Sequence, residues 1–515
     1  MTRRTLALAA ALTVVVTAAS GCAVVDEVRD RAQARPSVDI TPQPPPAGSE
    51  ALAPYYSQSL MWTDCSGAEC ASLSVPVDYD APSGAALDLA VVRVPAKRAS
   101  KRIGSLVVNP GGPGGSGVDY ALAADFIVGP DVRDAYDIVG FDPRGVGRSS
   151  PIDCVTDSEL DDFLGSDPTP DDVVEERQFA ASAAEFAKAC GQNAGPLLAH
   201  VSTEAAARDM DVLRAALGEE DLTYLGKSYG TFLGSTYADL FPDHVGRFVL
   251  DGVVAPDLTA EEVNLGQAEG FEQATRRWAA YCAAEGDCPL GASTDEVMDG
   301  LRAFLEAVDE DPLTHTGDNS VPELTEGWAS LGIAAAMYDQ GQWRSLVDAM
   351  TDAVAGDGTA LMQLADQYAD RNPGGTYAGN IMEAIYAVNC LDKPESGSVP
   401  EHQAQADAAA EVAPTWGRYL MWSSLPCGYW PVQADSEPHE VRAPGAPPIV
   451  VIGTTRDPAT PYEWAVRLND QLDSSALISF DGDGHTAYTR SNACVDDAVD
   501  AFYLDGTVPP DGLRC

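Results

Sequence analysis

The chain has 515 residues, is 45% hydrophobic and carries a formal net charge of −48. That length suits one large core with an insertion, and the apolar fraction is enough to bury it. The acidity argues against nucleic-acid binding, which needs clustered Lys and Arg against phosphate, whereas a cationic substrate terminus would be drawn to such a molecule.

Arg3 and Arg4 precede an apolar stretch from Leu6 to Ala19 that is short for a membrane span, so residues 1–21 read as a signal peptide. Ala19-Ser20-Gly21-Cys22 resembles a bacterial lipobox with Ala in place of the usual Leu, which makes Cys22 a candidate for acylation and membrane anchoring. The expected product is exported, either as a cell-surface lipoprotein or as a secreted protein. Residues 22–50, with Pro42, Pro44, Pro45 and Pro46, read as an extended tether. Eleven cysteines less Cys22 leave an even set. Their order along the chain suggests Cys65–Cys70, Cys154–Cys190, Cys282–Cys288, Cys390–Cys427 and Cys494–Cys515 as disulfides. Their spacing does not suit zinc.

Leu73–Tyr79 and Leu87–Pro95 alternate like a hairpin around Pro82-Ser83-Gly84. Ser105–Asn109 and Asp137–Phe141 fit buried parallel strands. Thr203 reads as a helix cap, followed by Ala206, Met210, Leu213 and Leu217 at helical spacing and by Gly218 as the stop. Leu222–Leu225 and Arg247–Leu250 are strands on either side of a further helix, an order that implies a right-handed crossover. Helical periodicity then dominates residues 256–440, and strand-like runs return at Ile449–Ile452 and Leu477–Phe480. The economical organisation is a sheet domain in two pieces, residues 51–255 and 441–515, with a helical cap inserted between them.

Gly226-Lys227-Ser228-Tyr229-Gly230 has the Gly-x-Ser-x-Gly form of a nucleophile elbow and lies between a strand and a helix. Alone it could be an inert Gly-Ser turn; its setting favours Ser228 as a nucleophile. Asn109 to Gly117 forms a glycine-rich loop directly after a strand, suited to presenting backbone N–H groups to a substrate oxyanion. The candidate donors are the N–H groups of Gly112 and Tyr229. A nucleotide-phosphate loop is the weaker reading, since the Lys-Ser/Thr ending is missing and two prolines cannot donate.

Asp457 and His485 each follow a strand, and the order Ser, Asp, His suits a base that takes the serine proton and a carboxylate that orients the base. His200, His244, His315, His402 and His439 lack a glycine-flanked post-strand setting. Asp481 and Asp483 stand too close to His485 in sequence and read as turn residues. Phe141 to Ser149 reads as a glycine turn supporting the site, with Arg144 paired to a carboxylate.

With these elements in place the chain resembles the secreted tripeptidyl aminopeptidases, relatives of the proline iminopeptidases among the α/β-hydrolases. The resemblance rests on Asn109–Gly117, Phe141–Ser149, Gly226–Gly230, Asp457–Pro461 and Gly484-His485. It implies an α/β-hydrolase fold, with a mostly parallel central sheet and a large helical cap between the two halves of the core. It also implies release of short peptides, tripeptides above all, from free N-termini of peptides or proteins through an acyl-enzyme on Ser228. Acidic cap residues would hold the substrate ammonium, with Glu269, Glu272 and Glu383 as candidates. No cofactor or metal is expected. Two alternatives are an esterase or lipase using the same triad and a non-catalytic surface-binding lipoprotein; survival of all the catalytic elements together disfavours the second.

Overall fold

The computed structural model describes residues 43–434 and 436–515. The expected signal peptide, the Cys22 acylation site and most of the tether lie outside the described residues. A ten-stranded sheet organises the rest. Its strands are β1 (Thr63–Cys65), β2 (Ala68–Pro76), β3 (Ala86–Val94), β4 (Gly104–Asn109), β5 (Tyr136–Phe141), β6 (Leu222–Lys227), β7 (Val245–Asp251), β10 (Ile449–Arg456), β11 (Ser475–Asp483) and β12 (Leu513–Arg514), while β8 (Arg371–Asn372) and β9 (Thr376–Tyr377) form a separate hairpin. The order is β1-β2-β3-β5-β4-β6-β7-β10-β11-β12. β1, β2 and β3 pair antiparallel and β3 joins β5 antiparallel; every pairing from β5 to β12 is parallel.

Alternation along each central strand supplies two cores. Val107 and Val139 face the helices Thr203–Leu217, Tyr229–Leu240 and Tyr462–Gln471, whereas Leu106, Val108 and Ile138 face Gly117–Leu122, Pro130–Ala135 and Ala493–Asp505. Because the strands are parallel and in register, with Asn109 beside Gly226 and Lys227 beside Asp251, their carboxyl ends meet along one edge of the sheet. Loops that leave this edge converge, which is where open α/β sheets place their sites.

The helix Thr203–Leu217 is capped by Ser202, not by Thr203 as expected; Ser202 Oγ accepts the Ala205 N–H at 3.4 Å, and Gly218 ends the helix in the left-handed conformation at φ 77°. Thr203 is the first helical residue, and its hydroxyl donates to Asp392 of the insertion at 2.6 Å.

Between β7 and β10 the chain is largely helical and has its own core, built around buried Trp278, Trp328, Trp343 and Trp416. That core also takes residues from between β5 and β6, among them Ile152, Leu160, Phe186 and Leu198. Sequence boundaries alone assign this earlier segment to the sheet domain, but packing joins it to the cap. The joint is polar as well: the fully buried guanidinium of Arg371 pairs with Asp161 of the earlier segment and with Asp318 and Asp366 of the insertion. The disulfides are Cys65–Cys70, Cys154–Cys190, Cys282–Cys288, Cys390–Cys427 and Cys494–Cys515.

Candidate active site

Ser228 sits between the end of β6 and the helix Tyr229–Leu240 with φ 56° and ψ −129°, a conformation unfavourable for a residue with a side chain. The turn closes because Gly226 has no Cβ; one would stand 2.2 Å from the Gly230 carbonyl oxygen. Ser228 N–H donates to the Asp251 carbonyl at 3.0 Å, and the Ser228 carbonyl accepts the Thr231 N–H at 2.8 Å. The strained turn is thus held from both sides.

The glycine loop after β4 lies directly against this elbow. Gly111 adopts φ 98°, and a Cβ there would fall 2.8 Å from Ser228 Cβ, so only glycine allows the approach. Asn109 Oδ1 accepts the Gly111 N–H at 2.9 Å, and Gly115 N–H donates back to the Gly111 carbonyl at 3.0 Å. Asp142 braces the far end by accepting the Ser116 hydroxyl, the Val118 N–H and the Arg148 N–H. Arg144 acts below the site: its guanidinium forms two hydrogen bonds with Asp209, at 2.7 and 2.8 Å, and donates to the carbonyls of Pro76, Val77 and His200.

His485 Nδ1 stands 2.8 and 2.9 Å from the two carboxylate oxygens of Asp457, and both residues are buried. Asp457 also accepts the N–H groups of Ala459, Thr460 and Thr486, so its carboxylate is fixed from three directions. The Thr460 hydroxyl lies 3.3 Å from the same His485 nitrogen. The insertion reaches this pair too: the Tyr338 carbonyl accepts the His485 N–H at 2.9 Å, and the two rings meet edge-on at 5.2 Å. His485 Nε2 is buried without a hydrogen-bond partner, so no bond joins it to Ser228 Oγ in this structure.

Asp251 connects the two halves. Its carbonyl holds the Ser228 N–H, while its carboxylate accepts the N–H groups of Ala487 and Tyr488, just beyond the histidine. Lys227 Nζ lies 3.5 Å from that carboxylate and donates to the Tyr488 carbonyl at 2.6 Å. Burial draws the lysine below its ordinary range, and Asp251 opposes the shift.

A cavity of about 270 Å³ opens above the elbow, with Ser228, Gly112 and Tyr229 on one wall and Thr460 on another. The insertion lines it with Phe271, Tyr338, Tyr368, Tyr386, Trp416 and Tyr419, an aromatic wall suited to apolar groups. Tyr229 is oriented from the cap, since its hydroxyl contacts Thr203 Oγ1, which in turn donates to Asp392 at 2.6 Å.

The three carboxylates expected to hold a substrate amine do not line this cavity. Glu269 is exposed on its helix. Glu272 accepts the Thr415 N–H at 2.8 Å, and Glu383 accepts the N–H groups of Cys154 and Val155. Both therefore satisfy backbone groups within the cap. Burial raises the Glu383 carboxyl to about 7, against the pull of those two N–H groups. The acidic residue that lines the cavity is Glu395, accompanied by Lys393. Neither stands in a recognisable motif; the only sequence signal is their place just after Cys390, whose disulfide to Cys427 pins a second wall residue.

The family model described as TAP-like protein matches residues 413–515. Serine protease Hip1 of Mycobacterium tuberculosis is 39% identical over 482 residues, covering 90% of this chain and 92% of that protein. Carboxylesterase B of the same organism is 39% identical over 503 residues, covering 94% and 95%. A tripeptidyl aminopeptidase of Streptomyces coelicolor is 35% identical over 470 residues, covering 88% and 85%. Identity that extends across both pieces of the sheet and the insertion leaves one conclusion: the chain belongs to the TAP-like family of α/β-hydrolases and is a serine hydrolase.

Proposed function

We propose that the protein is an exported serine peptidase that releases short peptides, tripeptides above all, from free N-termini. Ser228 attacks the scissile carbonyl, His485 takes its proton and later delivers it to the leaving amine, and Asp457 holds the imidazole and favours its charged form. The N–H groups of Gly112 and Tyr229 receive the oxyanion. The acyl-enzyme is then hydrolysed with the same base activating water. The observation that carries this reading is that the helical insertion lines a Ser228 cavity of about 270 Å³, a volume on the scale of a few residues. Relatives named as a serine protease and a tripeptidyl aminopeptidase support it. Five disulfides suit an oxidising compartment.

Within this reading the substrate ammonium is received by Glu395, the cavity's carboxylate. The test compares tripeptide amides with free and acetylated N-termini alongside a simple acyl ester. A peptidase of this type loses most of its kcat/KM on acetylation, and Glu395→Gln removes the distinction. Indifference to the amine with strong ester turnover would instead favour an esterase, as the relative named carboxylesterase B suggests.

A further inference from the structure

Lys393 is a cation placed inside an otherwise largely aromatic and apolar cavity. It follows the helix Ile381–Asp392, and its ammonium lies 5.2 Å from the centre of the Phe232 ring, one helical turn beyond Tyr229. Its hydrogen-bond acceptor is the Leu258 carbonyl. An ammonium has three protons to donate, so two have no acceptor among the described residues.

No carboxylate among the described residues stands within 4 Å of Lys393 Nζ, although three lie close enough to act on it: Asp392, Asp257 and Glu262. Each also has another partner, although one Asp257 oxygen is buried without a hydrogen bond. Asp392 accepts the Thr203 N–H and hydroxyl, Asp257 pairs with Arg467 at 2.7 Å, and Glu262 accepts the Thr259 N–H as part of a helix cap. Burial lowers the lysine's affinity for its proton, with those carboxylates opposing the shift. A largely buried cation with no direct ion pair among the described residues is favoured by the arrival of an anion. In a chain of net charge −48, acids would otherwise be repelled.

We propose that Lys393 is a specificity-determining residue that receives a carboxylate of the substrate. The carboxylate is either an acidic side chain or the free C-terminus of a short peptide. The proposal deepens the peptidase reading and rests on it for the identity of the substrate.

Two substrate pairs separate the sources. One is tetra-alanine as free acid and as C-terminal amide; the other is a set of peptide amides in which Glu replaces Gln at successive positions. Wild-type enzyme is expected to favour the carboxylate member of at least one pair by about tenfold in kcat/KM, as suits a charge-assisted contact. Lys393→Met should bring that ratio close to one while leaving the neutral member within about threefold, and Lys393→Arg should retain most of the preference. Absence of any preference in the wild type overturns the proposal. So does a preference that survives in Lys393→Met, or an equal loss on both members, which would mark the lysine as an anchor for Leu258. Calorimetric binding of the same pairs to wild-type enzyme reads the preference without turnover. If peptides bind with the predicted bias but are not cleaved, the peptidase reading fails and the Lys393 assignment stands.

Discussion

Asp251 and Ser228 are joined by a backbone hydrogen bond of 3.0 Å, and the same aspartate's carboxylate grips the chain two and three residues after His485. One residue at the end of β7 therefore sets the elbow and the histidine loop relative to each other. Asp251→Asn keeps the backbone bond but replaces one acceptor oxygen by a donor and strips Lys227 of its counter-charge. Breaking one side of a buried pair typically costs about 3–5 kcal/mol. We expect lower stability in urea, a fall in kcat of at least about tenfold with a smaller change in KM, and partial recovery when Lys227→Met is added. Unchanged kcat would show that the loop holds itself.

Asp457 offers a sharper test of the proposed acid–base pair. Both its oxygens contact His485 Nδ1, and both accept backbone N–H groups as well. An asparagine would have to aim an NH₂ group at one set of donors. Asp457→Asn is expected to lower kcat by about 10²–10⁴ through loss of the imidazole's orientation and tautomer. Circular dichroism should be preserved, and peptide and ester substrates should be affected alike.

The candidate site is readable in sequence where its geometry is local and unreadable where it is assembled by packing. Gly226 to Gly230 and Asn109 to Gly117 announce themselves because tight turns demand glycine at fixed offsets. Asp457 and His485 stand out because each follows a strand with a buried apolar run that must end at the same edge. The two-piece sheet is legible for the same reason. Glu272 and Glu383 illustrate the opposite case: each lies on a helix near the cavity, but helical rotation turns them onto backbone N–H groups within the cap. The allegiance of residues 152–198 to the cap likewise depends on contacts such as Arg371 with Asp161, 210 positions apart. Lys393 and Glu395 carry no local signature, because what matters is the wall they complete.

Arg144 and Asp209 are both fully excluded from solvent. Tyr79 OH donates to the same carboxylate at 2.8 Å, and three backbone carbonyls depend on the guanidinium. Asp209→Ala leaves a buried cation with only carbonyl partners and is expected to lower stability by about 3–5 kcal/mol. Arg144→Met orphans three acceptors together with the carboxylate and should be at least as damaging. Equilibrium urea unfolding at constant m-value is the measure. If either variant is as stable as wild type, the loop after β5 does not depend on this pair.

The cap contains a carboxyl cluster whose protonation should be visible in stability. Glu326 is buried beside Asp167 and Asp309, and one hydroxyl, that of Thr169, contacts both Glu326 oxygens at 3.0 Å. Burial, reinforced by Asp167, raises Glu326 to about 8, and burial likewise raises Asp167. A carboxyl whose folded pKa exceeds its unfolded value binds more protons when folded. Its neutral form then favours folding at acid pH, and this contribution declines as pH rises from the ordinary carboxylate range towards about 8. Glu326→Gln fixes the neutral state and keeps an acceptor for Thr169. The variant should therefore unfold at higher urea than wild type at pH 8, with the gap narrowing towards pH 5. A wild-type chain that gains stability over that window relative to the variant would mean that Glu326 is held as a charge, and the cluster would then have to be balanced by a cation.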